Sequence, residues 1–320
     1  MKKKLFKQQN FIIYSLLMLF PFLTYSQADD NSILKQKFNL AGERIQETQF
    51  YVMKSECINY ALDGKRTGKD TYKLFLKWMP AKISGRAEDE LICLKFTVQF
   101  GDASEVSIPL LANWSYSFKG GIDEKNQVFG IDHNKFENIR DINGNVIPIY
   151  KAYHVYNAFI DFHSFCNVFA ERTSEGSGIQ HLSKIGQKIV HSAAFSEPPT
   201  HLGKNILDGS FFKNGKITLE FKGLSVANDK ECAIIGFDSG ESSFKMIVKP
   251  TSDFEVVAVG SSHYKGDIYK DLVSNWVQKV TFNEIVVTEA TMPMPPNKVN
   301  SVVERNVVIQ NVSENELFNY

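Results

Sequence analysis

The stretch Leu91-Ile92-Cys93-Leu94-Lys95-Phe96-Thr97-Val98-Gln99-Phe100 sets the fold class. Ile92, Leu94, Phe96, Val98 and Phe100 fall on one face, with Lys95, Thr97 and Gln99 opposite. A period of two marks a half-buried strand. Gly101-Asp102-Ala103-Ser104 ends it with turn formers. Upstream, residues 50–61 and 71–79 read as strands joined by the turn 63–68, hence a hairpin. Residues 106–118 form a further strand, interrupted by Pro109. Far downstream, 211–212 and 217–221 flank Asn214-Gly215, a pair that favours hairpin turns. Residues 231–237, 244–248, 254–259, 266–269 and 276–288 continue in the same style. The 25 Phe and 12 Tyr, with many Val and Ile, favour strands over helices.

The middle of the chain differs. Phe162, Phe165 and Phe169 fit a helical stripe, and so do Leu182, Ile185 and Ile189. The expected fold is therefore mainly β: two curved antiparallel sheets or sandwich-like modules, with a short helical segment near 155–190. The expected divisions are a signal peptide at 1–27, an N-terminal β module at 28–150 and an aromatic, partly helical connector at 151–208. A C-terminal β module at 209–291 and a Pro-containing tail at 292–320, with one strand at 306–312, complete the chain.

The first residues speak to compartment. Lys2, Lys3, Lys4 and Lys7 precede an apolar run at 11–23, and Thr24-Tyr25-Ser26 then places small residues around a cleavage point. That order is a secretory signal peptide rather than a lasting span. Ser26-Gln27-Ala28 offers a second cut, and no Cys stands near either to take a lipid. The expectation is an exported protein, periplasmic or at the cell surface, with no membrane span after cleavage. Charges balance at 36 basic and 36 acidic, so nucleic acid is not an expected partner. Cys57, Cys93, Cys166 and Cys232 are too dispersed for a zinc ribbon or a redox pair. An oxidising compartment permits disulfides among them; the alternative is four small buried hydrophobes.

Two stretches repeat in order. Gly130, His133, Asp141 and Asn145 match Gly260, His263, Asp271 and Asn275 at a constant offset of 130. This suggests a domain duplication in which the matched His and Asp mark equivalent turns. In the second copy, Gly260-Ser261-Ser262-His263-Tyr264-Lys265-Gly266 leads through Asp271 into Trp276-Val277-Gln278-Lys279-Val280. Residues 209–291 resemble the hairpins of bacterial half-barrels of the outer-membrane lipoprotein-carrier type. The resemblance implies a curved antiparallel sheet over a helix, with acyl chains as ligands, and it transfers no functional residue.

Few positions suggest chemistry. Trp114, Tyr116 and Phe118 alternate with Ser115 and Ser117, giving one aromatic strand face that would be core if buried and a binding strip if exposed. With Trp276 they are the candidate ligand-binding residues. His154, Asp161 and His163 are weak metal candidates, because zinc needs three or four converging ligands. Gly176-Ser177-Gly178 and Gly236-Phe237-Asp238-Ser239-Gly240 both miss the nucleophile-elbow spacing. No cofactor motif is present. The reading favours an exported, non-enzymatic binding or scaffolding protein for an apolar or lipid ligand. One alternative is carbohydrate binding or processing through Trp114, Tyr116 and Trp276. The other is a hydrolase assembled from distant residues such as His154, Asp161 and His263.

Overall fold

The computed structural model describes residues 30–122, 127–198, 206–251 and 254–320. The signal-peptide reading at 1–27 lies outside them. Two compact units are present. Met1–Gln36 contributes one helical turn at Asp30–Ile33 among its described residues. Lys37–Tyr320 carries everything else.

That unit is mainly β, one large antiparallel sheet that does not close into a barrel. Its strands are β1 (Gln49–Tyr60), β2 (Arg66–Met79), β3 (Glu90–Phe100), β4 (Val106–Ser107), β5 (Trp114–Ser117), β6 (Lys188–Val190) and β7 (Phe211–Lys213). After these come β8 (Thr218–Ala227), β9 (Lys230–Asp238), β10 (Ser242–Thr251), β11 (Phe254–Asp271), β12 (Val277–Thr291) and β13 (Lys298–Val312). The spatial order is β4-β3-β2-β1-β13-β12-β11-β9-β8-β6. β5 flanks β3; β9 and β10 share one side of the long β11.

The halves of the chain are thus halves of one sheet, and β13 is the seam. It pairs with β1 from Phe50↔Val312 to Tyr60↔Val302 and with β12 from Lys279↔Gln310 to Thr291↔Lys298. The stretch expected as a tail with a strand at 306–312 therefore holds a 15-residue strand at the centre. Its inward side carries Val307 and Ile309, fully buried, but also Arg305. Its outward side is Glu304, Asn306, Val308 and Gln310. Polar residues on both faces blur the alternation that identifies strands elsewhere.

The hairpin β1–β2 is where the sequence places it. The alternation in β3 breaks once: Phe75 faces Lys95 and Leu76 faces Cys93, so Leu94 is an extra, bulged residue. Leu91 and Cys93 join Phe96 and Val98 in the core, while Ile92 moves to the other side. β7 pairs with β10 rather than forming a hairpin with β8. Gly215 serves a close approach instead, since a Cβ there would lie 2.4 Å from the Glu241 carbonyl oxygen.

The central helix (Ile149–His163) begins just after Pro148, whose ring suits a helix start. A wide turn at Ser164–Val168 continues it. Phe162, Phe165 and Phe169 are all buried, as their stripe requires. The second stripe is not helical: Ile179–His181 is a single tight turn, and Ile189 lies in β6. Gly186, at φ 85°, ends any helical path there.

The duplication does not hold. His133 opens a short turn at His133–Phe136, whereas His263 lies within β11. Gly, Asn, Asp and His recur at turns for local reasons, and the constant offset was a chance alignment. The capping chemistry is real at both aspartates. Asp141 Oδ1 accepts from the Asn143 and Asn145 amides at 2.8 and 2.9 Å, and Asp271 Oδ1 from the Val273 amide at 2.9 Å.

Candidate functional site

Trp114 and Tyr116 of β5, and Phe118 just after it, point toward the central helix. Trp114 stacks on Tyr116 at 4.9 Å and meets Phe136 and Phe159 edge-on. Phe118 stacks on His163 at 4.9 Å. The Tyr116 hydroxyl lies 2.8 Å from His163 Nε2, and His163 Nδ1 lies 3.1 Å from Asn167 Oδ1. An amide oxygen only accepts, so Nδ1 carries the proton and the phenol donates to Nε2. Burial lowers His163 to about 3 and keeps the imidazole neutral.

Trp276 is 1% exposed and meets Trp78 edge-on at 5.1 Å. Trp78 also neighbours Phe118, so all four candidate rings belong to one interior network. The Arg44 guanidinium sits 4.6 Å from the Trp78 ring and 4.5 Å from the Trp276 ring. It pairs with Glu171 at 2.8 Å. Lys270 lies 3.6 Å from the same carboxylate, and burial draws it down to about 8. The Trp276 indole N–H donates to the Ile45 carbonyl at 2.8 Å, tying the segment before β1 to the core.

His154, Asp161 and His163 do not converge. His154 Nδ1 is 3.9 Å from the Cys57 sulfur; Asp161 pairs with Arg305; His163 belongs to Tyr116. His263 stands apart from all three, 2.8 Å from Asp238 and exposed. Among the described residues no three His, Cys, Asp or Glu side chains come together as a metal would need. All four cysteines are buried and unpaired.

Two features escaped the sequence reading, because both depend on strand register. One is a buried ion triad. Arg305 on β13 faces Glu284 on β12, with Nη1 2.8 Å from Oε2, and its other arm holds Asp161 from the last turn of the helix. Side-chain exposure is only 7%, 12% and 15% for Arg305, Glu284 and Asp161. Burial outweighs the pull of the guanidinium and raises Asp161 to about 6. The two carboxylates hold Arg305 still more firmly charged.

The other feature starts next to the triad. β10 to β13 run on past it as a four-stranded extension. The row Ser242, Ser262, Val286 and Val303 faces the same side as the core. Next on that side come Phe244, Gly260, Thr288 and Ser301, then Met246, Ala258, Ala290 and Val299, then Val248 and Val256. None of these 14 residues is charged. The intervening rows, which face the other way, carry Lys245, Glu289 and Lys298. Ser242 and Ser262 are buried, but the floor beyond them passes to half-buried residues and to Val299 at 39% exposure. Its β10 edge is closed: β7 pairs along Ser243–Lys245, and the Leu207 amide donates to the Ile247 carbonyl at 2.9 Å.

On the opposite face, a shallow depression of about 310 Å³ lies over β11, β12 and β13, beside Lys265, Thr281, Asn283 and Asn306. Asn283 donates to Asn306 there, and both donate to Glu304. Among the described residues no helix is long and apolar enough to cross a membrane. No family model and no curated protein matches the chain.

Proposed function

We propose that the chain is an exported binding or scaffolding protein, without catalysis of its own, whose working surface is the uncharged floor of β10 to β13. The ligand is apolar, with a lipid chain as the model. The observation that carries this reading is the run of 14 uncharged positions on one side of four strands. A surface that merely faced water would mix in charges, as the reverse side of the same strands does. Ten of the 14 are apolar or glycine, and a contiguous apolar patch on a folded chain marks a contact site. Sheet edges left open invite unwanted pairing, yet β10 is capped by β7. The glycan alternative rests on Trp114, Tyr116 and Trp276, which here pack inside the protein, Trp114 on Tyr116 and Trp276 against Trp78.

The test is titration with an environment-sensitive apolar dye and with a fluorescent fatty acid. Val286→Asp on the floor should abolish the signal, and Val287→Asp on the reverse side should keep it. No binding, or equal effects of the two variants, refutes the reading. Export is tested by intact mass after expression with the native leader. The chain should start at Gln27, or at Asp29 if the second cut is used; retention of Met1 rejects it.

A further inference from the structure

We propose that the loop joining β12 to β13 is a membrane contact, which seats the far end of the floor against a lipid bilayer. The proposal rests on reading the floor as the working surface, and goes beyond it by naming where an apolar ligand is met. The loop is Met292-Pro293-Met294-Pro295-Pro296-Asn297. Five of its six side chains are apolar and none is charged. Connections that face water are usually polar. Here Pro293, Met294, Pro295 and Pro296 are all exposed, Met294 at 55%.

The loop backbone suits the same surroundings. A bilayer offers no acceptors at acyl depth, so each bare amide N–H carried there is costly. Proline has no N–H to desolvate. Three of the six loop residues are prolines, and the Met292 amide donates to the Asn297 carbonyl at 2.9 Å. Only the backbone amides of Met294 and Asn297 are left to solvate. A loop with exposed apolar side chains and few free donors meets the two demands of the headgroup–acyl boundary together.

Position is the third observation. On β12 the floor takes Val286, Thr288 and Ala290, and the alternation brings Met292 next. Val256 and Val248 end the floor on the two strands alongside. The uncharged surface therefore runs from the buried Ser242 and Ser262 to the loop without a charged row between. Charges at this end are few and matched. Lys298 pairs with Glu289 at 2.8 Å, and Lys249 and Glu255 stand beside the paired Val248 and Val256. The contact is thus one of apolar insertion, not of attraction to anionic headgroups. An acyl chain leaving the bilayer beside the loop enters the floor directly.

Vesicle flotation of the exported chain tests the proposal, with phosphatidylcholine vesicles and with vesicles that also contain phosphatidylglycerol. The wild type should float with both, and to a similar extent, because no net charge drives the contact. Met294→Asp should weaken flotation by roughly tenfold or more, since the side chain forfeits its burial and carries a charge into the boundary. Val273→Asp, 76% exposed in the turn at the opposite end of β11, should float as the wild type does. Circular dichroism identifies any variant that fails to fold, and Pro293→Asp, in the same exposed loop, stands in if Met294 proves essential. Met294→Asp should still bind the apolar dye without vesicles, because Met294 lies beyond the floor. A wild type that floats with neither composition overturns the membrane contact and leaves a protein that reads proline-rich segments as the partner of the loop; if it binds dye in a Val286-dependent way, the ligand reading survives. Flotation that persists in both loop variants, or that needs the anionic lipid, overturns the proposal as well. Flotation lost on Met294→Asp, with no dye bound by the wild type, supports the contact and rejects the apolar ligand.

Discussion

Replacing Arg305 by Met probes the seam of the sheet. The side chain is 7% exposed and is held by Glu284 and Asp161, themselves 12% and 15% exposed. Met fills similar volume, so packing changes little, but two carboxylates lose the cation they share. Removing one partner of a buried ion cluster costs about 3–5 kcal/mol. For a domain of this size that lowers the melting temperature by roughly 10 °C. The loss must also depend on pH. Asp161 already has a folded pKa of about 6, above its value of 3.8 in the unfolded chain. A carboxyl with a raised folded pKa adds stability that is fully present below the unfolded value and is lost as pH rises through the folded one. Without Arg305 the folded value climbs further, so the deficit of the variant is greatest near pH 8 and shrinks toward pH 5. At about 1.4 kcal/mol per pKa unit, roughly 2–3 kcal/mol should return over that range. Urea and thermal melts of wild type and variant at both pH values give the comparison. A loss under about 1 kcal/mol at pH 8, or the same loss at both pH values, refutes the argument. A triple variant that also carries Asp161→Asn and Glu284→Gln should recover most of the stability, because no buried charge remains.

Two further outcomes follow from the packing. Phe165, 2% exposed, meets Phe282 at 4.4 Å and Phe237 at 4.5 Å, so Phe165→Ala should cost about 3–5 kcal/mol in a urea melt; a cost under about 0.5 kcal/mol would place the ring outside the core. A chain ending at residue 297 lacks β13 and opens the edges of β1 and β12 together, so it should aggregate rather than form a smaller domain, as light scattering after refolding would show; a soluble, cooperatively melting product would mean that the halves are independent modules.

What the sequence made legible was local. β1, β2 and most of β3 followed from alternation because their outward residues are polar and their inward ones apolar. The Phe162, Phe165 and Phe169 stripe marked the helix–sheet contact, though the helix starts earlier, after Pro148. The bulge at Leu94 was invisible, since a single extra residue leaves composition untouched. β13 was reduced to a short strand because Arg305, the residue that would break an apolar pattern, is compensated by partners no local window contains. Asp161, one of them, is 144 residues away. The same holds for the candidate sites. His154, Asp161 and His163 stood out as polar groups in an aromatic run, but their partners Cys57, Arg305 and Tyr116 lie on three different strands. The floor needs register as well: Ser242, Ser262, Val286 and Val303 become one surface only when four strands are aligned.

Register also joins the core, the ion triad and the floor through a single strand. β13 supplies Val307 and Ile309 to the core, Arg305 to the triad, and Val299, Ser301 and Val303 to the floor. Its first neighbour in the sheet, β1, is remote in sequence: the Asn311 amide donates to Gln49 across 262 residues, at 2.9 Å. Pairings this distant close late, since loop entropy opposes them until local hairpins have formed. The hairpins β1–β2 and β11–β12 can form early, but each leaves an open edge on the side that β13 will fill. The floor is therefore incomplete until the last strand docks, and one side of its four-stranded width is missing before then. Insertion of Arg305 between Glu284 and Asp161 then ties that strand to both its neighbour and the helix.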